Sequence, residues 1–156
     1  MKGLAFAYDP DKYWIEIVKR THKSSNEFCF AQTMLRIKDP KMSIPFYKSL
    51  GMQLVCEKHF DDFSLYFMAS NIIPLAVDPA SEESRTLLSS LSVPVLELTH
   101  NHGTETKSDF AYLNGNEQGK TGFGHIGFLV DDVYKACDDI RKWGYGFRKV
   151  KYNLKE

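Results

Sequence analysis

The chain has 156 residues, 43% of them hydrophobic, and its 20 Lys and Arg balance 20 Asp and Glu. Those numbers fit one globular domain with a real core. They leave no basic footprint for nucleic acid, and no apolar run is long enough to span a membrane. Cys29, Cys56 and Cys137 are far apart and form no CxxC pair, which indicates reduced thiols in a cytoplasmic protein. Asp9, Asp11 and Lys12 interrupt the N-terminal run, so it does not read as a signal peptide.

In chain order, Leu4 to Tyr8 is predicted as a strand, Asp9-Pro10-Asp11-Lys12 as a turn, and Tyr13 to Val18 as a second strand. Glu16 lies inside that aromatic and aliphatic run, where a carboxylate is costly unless paired or bound to a cation. Phe28 to Lys38 is the next strand, and Asp39-Pro40 then starts a helix, with Asp at the N-cap and Pro at N1. Gly51 ends the helix, although Pro45 within it costs about 3 kcal/mol unless a kink relieves it. Extended segments follow from Met52, from Phe63 to Phe67 and from Val93 to Thr99. Residues 70–92 and 100–120 are rich in Ser, Asn, Pro and Gly and read as loops, with a short helix around Glu82 to Ser89. A strand is expected from Phe123 to Val130. Asp131 or Asp132 then caps a helix with the apolar stripe Val133, Ala136, Cys137 and Ile140. Gly144 ends it, and Tyr145 to Val150 is extended.

One pattern is written twice. Asp39 and Asp132, Gly51 and Gly144, and Gln32 and His125 share one offset of 93 residues, which indicates an internal duplication. The second unit lacks its last two strands, and the opening hairpin supplies them: Ile15-Glu16-Ile17 matches Leu96-Glu97-Leu98. The expected organisation is therefore residues 1–20 as the displaced end of the second unit, 21–27 as linker, 28–120 as the first unit and 121–156 as the start of the second. Such a chain is circularly permuted, or cut from a tandem array.

Strand alternation decides which side chains share a face. Each unit offers a first-strand ligand and a last-strand carboxylate: Gln32 with Glu97, and His125 with Glu16. Hard oxygens with one imidazole and no thiolate suit a divalent metal with open positions. His100 and His102 are a rival pair, placed by this reading in a loop.

The stretches QTMLRIKDP, FSLYF, LELTHNHGTE, NGNE, GFGHIGFLVDDVYKAC and MKGLAFAYDPDKYWIEIV resemble the glyoxalase I (lactoylglutathione lyase) family over nearly the whole chain, with the final segment moved to the front. The resemblance implies an α+β fold of the vicinal-oxygen-chelate type. Paired βαβββ modules would form a curled eight-stranded mixed sheet, here in circularly permuted order. It also implies a reaction, isomerisation of the methylglyoxal–glutathione hemithioacetal to S-D-lactoylglutathione. The implied metal ligands are Gln32, Glu97, His125 and Glu16, with zinc preferred over nickel or cobalt. Glu16 would be the base at C1, with Glu97 as the second catalytic carboxylate. Arg36 and Asn101 would hold the glutamyl end of glutathione. Phe60, Phe63, Leu65, Phe67, Met1 and Leu4 would form an apolar wall, with core packing as their alternative role.

This sequence departs from the family in three places. Thr121 stands where the family carries an arginine before GFGH, and Lys120, the neighbouring cation, lacks an arginine's fork. Pro45 interrupts a helix one residue shorter than usual. Met1 matches a methionine internal to the family. A homodimer with shared sites is expected, or a fragment of a tandem chain. Its alternatives are a non-catalytic metal or thiol-peptide binder and another enzyme of the same superfamily.

Overall fold

The computed structural model describes residues 4–21, 28–70 and 76–147. The chain divides into two compact units, residues 1–112 and 113–156.

The first unit opens with a hairpin of β1 (Leu4–Tyr8) and β2 (Trp14–Val18). Its turn forms because the Asp9 carboxylate accepts from the backbone N–H of Asp11 and Tyr13, at 2.9 and 2.8 Å. Register pairs Phe6 with Glu16 and Tyr8 with Trp14. Glu16 therefore shares its face with Leu4, Phe6, Tyr8, Trp14 and Val18.

A βαβββ module follows: β3 (Gln32–Ile37), α1 (Pro40–Ser49), β4 (Met52–His59), β5 (Phe63–Ser70) and β6 (Val95–Asn101), in the sheet order β3-β6-β5-β4. β3 and β6 are parallel and the other pairs antiparallel. The helix signals act as expected. Asp39 accepts from the Lys41 N–H at 2.8 Å, and Gly51, whose φ of +85° favours glycine, follows the C-terminal end of α1. α1 runs through Pro45 to Ser49 without breaking.

Between β5 and β6, α2 (Glu82–Ser90) confirms the short helix expected there. The Ser81 hydroxyl accepts from the Ser84 N–H. Leu87, Leu88 and Leu91 pack on a core of Val55, Cys56, Phe67, Ala69 and Val95. Val55 is the extra residue of a bulge in β4, which lets it and Cys56 both be buried.

Two expectations for this unit need correction. β3 begins at Gln32, not Phe28, and Phe28 and Phe30 are 81% and 67% exposed. Its partner β6 begins at Val95 just after Pro94, which has no N–H to extend the ladder. His100 is not a loop residue: it lies in β6, is buried, and its Nε2 contacts Glu105 Oε2 at 2.8 Å.

The second unit holds a small hairpin, β7 (Asn116–Glu117) and β8 (Lys120–Thr121), and α3 (Val133–Lys142). Asp132 caps α3 by accepting from the Lys135 N–H at 2.9 Å, and Gly144, at φ +86°, follows its end. Among the described residues, the strand expected from Phe123 to Val130 does not form. That segment joins no ladder among the described residues, and a strand is defined by the partner that takes its N–H and C=O groups. The α+β class holds, but the described strands form a four-stranded sheet and two hairpins rather than one curled eight-stranded sheet. The extended segment expected at 145–150 lies partly outside the described residues, as do Met1 and most of the 21–27 linker.

Candidate metal and substrate site

Three of the expected residues meet. The Gln32 amide nitrogen lies 2.6 Å from Glu16 Oε2 and 2.6 Å from Glu97 Oε2. Gln32 opens β3, Glu97 is central in β6, and Glu16 comes from β2 of the other sheet. A further tie holds the chain just after that hairpin, where the Thr21 hydroxyl donates to the Ser89 carbonyl at 3.1 Å.

Glu97 is only 8% exposed. Its second oxygen accepts from the Thr99 hydroxyl at 3.1 Å. Burial pushes its pKa up, the Glu16 charge adds to that, and Thr99, Lys58 and Arg36 act against it. Thr99 is a positioning residue that the sequence reading left out, although its place two residues along the same strand face was a signal for it.

This cluster fits a divalent cation. Two carboxylates converge on one neutral amide, which offers fewer donors than they have lone pairs. Their like charges favour a proton or a cation between them. Turned end for end, the Gln32 amide would present its oxygen to the same point, giving three hard oxygen ligands. Among the described residues no three or more of His, Cys, Asp and Glu gather as a metal cage, so the amide is part of any such set. Glu16 is half-buried rather than fully buried. His125, the fourth expected ligand, belongs to the second unit and is exposed.

Arg36, Asn101, Phe63, Leu65 and Phe67 lie on the same sheet face as Glu97. Across the strands, Met34, Glu97, Phe67 and Cys56 form one row, and Arg36, Thr99, Leu65 and Lys58 the next. Arg36 Nη1 reaches Asn101 Oδ1 at 3.5 Å, which places the two side chains together. Phe60 stacks on Phe63 at 4.5 Å and is 42% exposed, so this pair is accessible. Phe67 is buried in the core, and Leu65 packs beside it. Leu4 lies on the Glu16 face of the hairpin. Lys120, in the second unit, pairs with Glu117 at 3.0 Å.

A βαβββ module with carboxylate and amide side chains gathered on one sheet face is the arrangement expected of the vicinal-oxygen-chelate class. Residues 30–151 match the Glyoxalase/Bleomycin resistance protein/Dioxygenase superfamily, and the chain belongs to that superfamily. Its relatives include a lactoylglutathione lyase of Pseudomonas putida, 40% identical over 136 residues that make up 85% of this chain and 77% of the relative. A lactoylglutathione lyase of Schizosaccharomyces pombe is 37% identical over 96% of this chain and 47% of its own length. A glyoxalase I of Saccharomyces cerevisiae is 38% identical over 90% of this chain and 42% of its own length. The chain thus spans about half the length of these two yeast relatives.

Proposed function

We propose that the chain carries glyoxalase I chemistry: isomerisation of the hemithioacetal of methylglyoxal and glutathione to S-D-lactoylglutathione, in the cytoplasm. The observation that carries this reading is the convergence of Glu16, Gln32 and Glu97 at one point, in a chain whose relatives are named for that activity. Gln32, Glu97 and Glu16 would hold a divalent cation, with the His125 of a second copy or tandem partner as fourth ligand. Zinc is the preferred occupant, and nickel or cobalt are the alternatives. When bound, the cation supplies Lewis-acid stabilisation of negative charge on the substrate oxygens.

The protein's own groups do the rest. Glu16 takes the proton from C1 and returns it at C2, while the C1 hydroxyl proton passes to the C2 oxygen, so no atom is gained or lost. Glu16 is half-buried and reaches the Gln32 amide at the centre of the cluster. Glu97, held by Thr99, keeps the second carboxylate fixed. Arg36 and Asn101 bind the glutamyl carboxylate, and Phe60, Phe63, Leu65 and Phe67, together with Leu4 and Met1, wall the apolar part of the adduct.

Residues 1–20 act as the displaced end of the second module, which is supported by the hydrogen bond that the Gln32 amide donates to Glu16. Two copies would share two sites, each taking His125 from the partner, or a tandem partner would serve in place of the second copy. Exposed apolar side chains such as Leu129, Val130 and Ile17 support such an association. The direct test mixes metal-loaded protein with methylglyoxal and glutathione and follows thioester absorbance. A rate above the uncatalysed one is expected, and its absence would leave the second reading. That reading, a binding domain without turnover, is favoured by Thr121 in place of the family's arginine.

A further inference from the structure

Lys58 is a cation on the site face to which the reaction assigns no role. It lies on β4 opposite Leu65, one row from the Glu97–Phe67–Cys56 row, and is half-buried. Its Nζ sits 5.3 Å from the centre of the Phe67 ring, and Phe67 is the cross-strand neighbour of Glu97. Among the described residues no carboxylate pairs with it. The adjacent Glu57 points instead to His59, at 3.4 Å. The ammonium thus lies over an aromatic ring, outside ion-pair distance of the described carboxylates. That charge reaches the centre of the site, since it is one of the influences drawing the Glu97 carboxyl down.

The aldehyde-derived substituent of the adduct would lie against Leu65, Phe67 and the exposed Phe60–Phe63 stack. A wall of hydrocarbon alone would favour methyl or phenyl groups. With Lys58 lying over it, a purely apolar substituent strips water from the ammonium without return, whereas a carboxylate replaces that water with an ion pair.

We infer that Lys58 is a specificity-determining residue that widens the substrate range beyond the small methyl adduct, favouring adducts of 2-oxoaldehydes with a negatively charged substituent over apolar ones of the same size. The inference rests on the proposed reaction for its substrate and leaves the chemistry at C1 and C2 unchanged, because the carboxylate is a spectator to the proton transfer.

Two measurements separate the inference from the reaction. In the first, calorimetry compares S-(4-carboxybenzyl)glutathione with S-benzylglutathione on wild-type protein, Lys58→Met and Lys58→Arg. The preference for the carboxylated ligand should fall about tenfold in Lys58→Met, the scale of one lost charge-assisted contact, and persist in Lys58→Arg. Equal preference in wild type and Lys58→Met would overturn the inference. The second follows turnover of the glutathione adducts of 4-carboxyphenylglyoxal and phenylglyoxal by the metal-loaded protein. Turnover with the same loss of preference in Lys58→Met supports both readings. A Lys58-dependent preference in binding with no turnover of either adduct would overturn the reaction and uphold Lys58 as a ligand-selecting residue. Failure of both ligands to bind would overturn both.

Discussion

Glu16 and Glu97 stand on different sheets and share one donor, the Gln32 amide nitrogen, 2.6 Å from an oxygen of each. Two carboxylates around a neutral amide repel each other, and the Glu97 pKa is raised by burial and then by Glu16. A divalent cation at that point reverses the balance. Calorimetric titration with zinc should therefore show binding, and Glu97→Ala or Gln32→Ala should weaken it at least about tenfold, the scale of losing one contact to a charged group. Unchanged zinc affinity in both variants would remove the cluster from the metal site.

Glu16→Gln keeps the size and polarity of the side chain and removes its basicity. Turnover should fall by roughly 10²-fold or more, with circular dichroism unchanged. Wild-type rates in this variant would transfer the proton from Glu16 to another group.

The N-terminal hairpin brings Glu16 to the module, and Thr21 ties the chain just after it to Ser89. Deleting residues 1–20 should abolish turnover and sharply weaken zinc binding, since one of the three oxygen ligands is lost. Light scattering of the full chain should report a dimer at assay concentration. A fully active monomer would count against shared sites, and an active truncated chain against the displaced module.

Glu105 anchors the end of β6 through His100, and its pKa is lowered by its own backbone N–H and by that imidazole. A depressed carboxylate stabilises the fold above its unfolded pKa and loses that contribution as pH falls through the folded value. The thermal midpoint should therefore decline on acidification from the ordinary glutamate value of 4.5 downward. In Glu105→Gln the midpoint should be lower near neutrality and its acid limb flatter. Parallel pH profiles for the two proteins would show that this contact contributes nothing.

Locally encoded features were legible. Asp39 with Pro40, Ser81 before α2, Asp132 before α3, and Gly51 and Gly144 after their helices mark ends with groups that satisfy their own neighbours. The hairpin turn at Asp9 is similarly self-contained. Alternation along β2, β3 and β6 placed Glu16, Gln32 and Glu97 on faces where they could meet.

Pairing was less legible, because a strand's length depends on its partner. Pro94 limits the β3–β6 ladder from outside β3, which is why Phe28 and Phe30 fall beyond it. Phe123 to Val130 alternates well enough for a strand, yet no ladder among the described residues takes it up. His100 reads as a loop residue by composition, and its burial follows from pairing with both Ile37 and Ser64. The helix ends and turns were readable along the chain, since they depend on neighbours a few positions away, and so were the residue types able to bind a cation. That Gln32 lies between Glu16 and Glu97, and Lys58 over Phe67, emerged only with the folded chain. Those contacts join distant segments through strand order and register, which are set by the packing of whole faces.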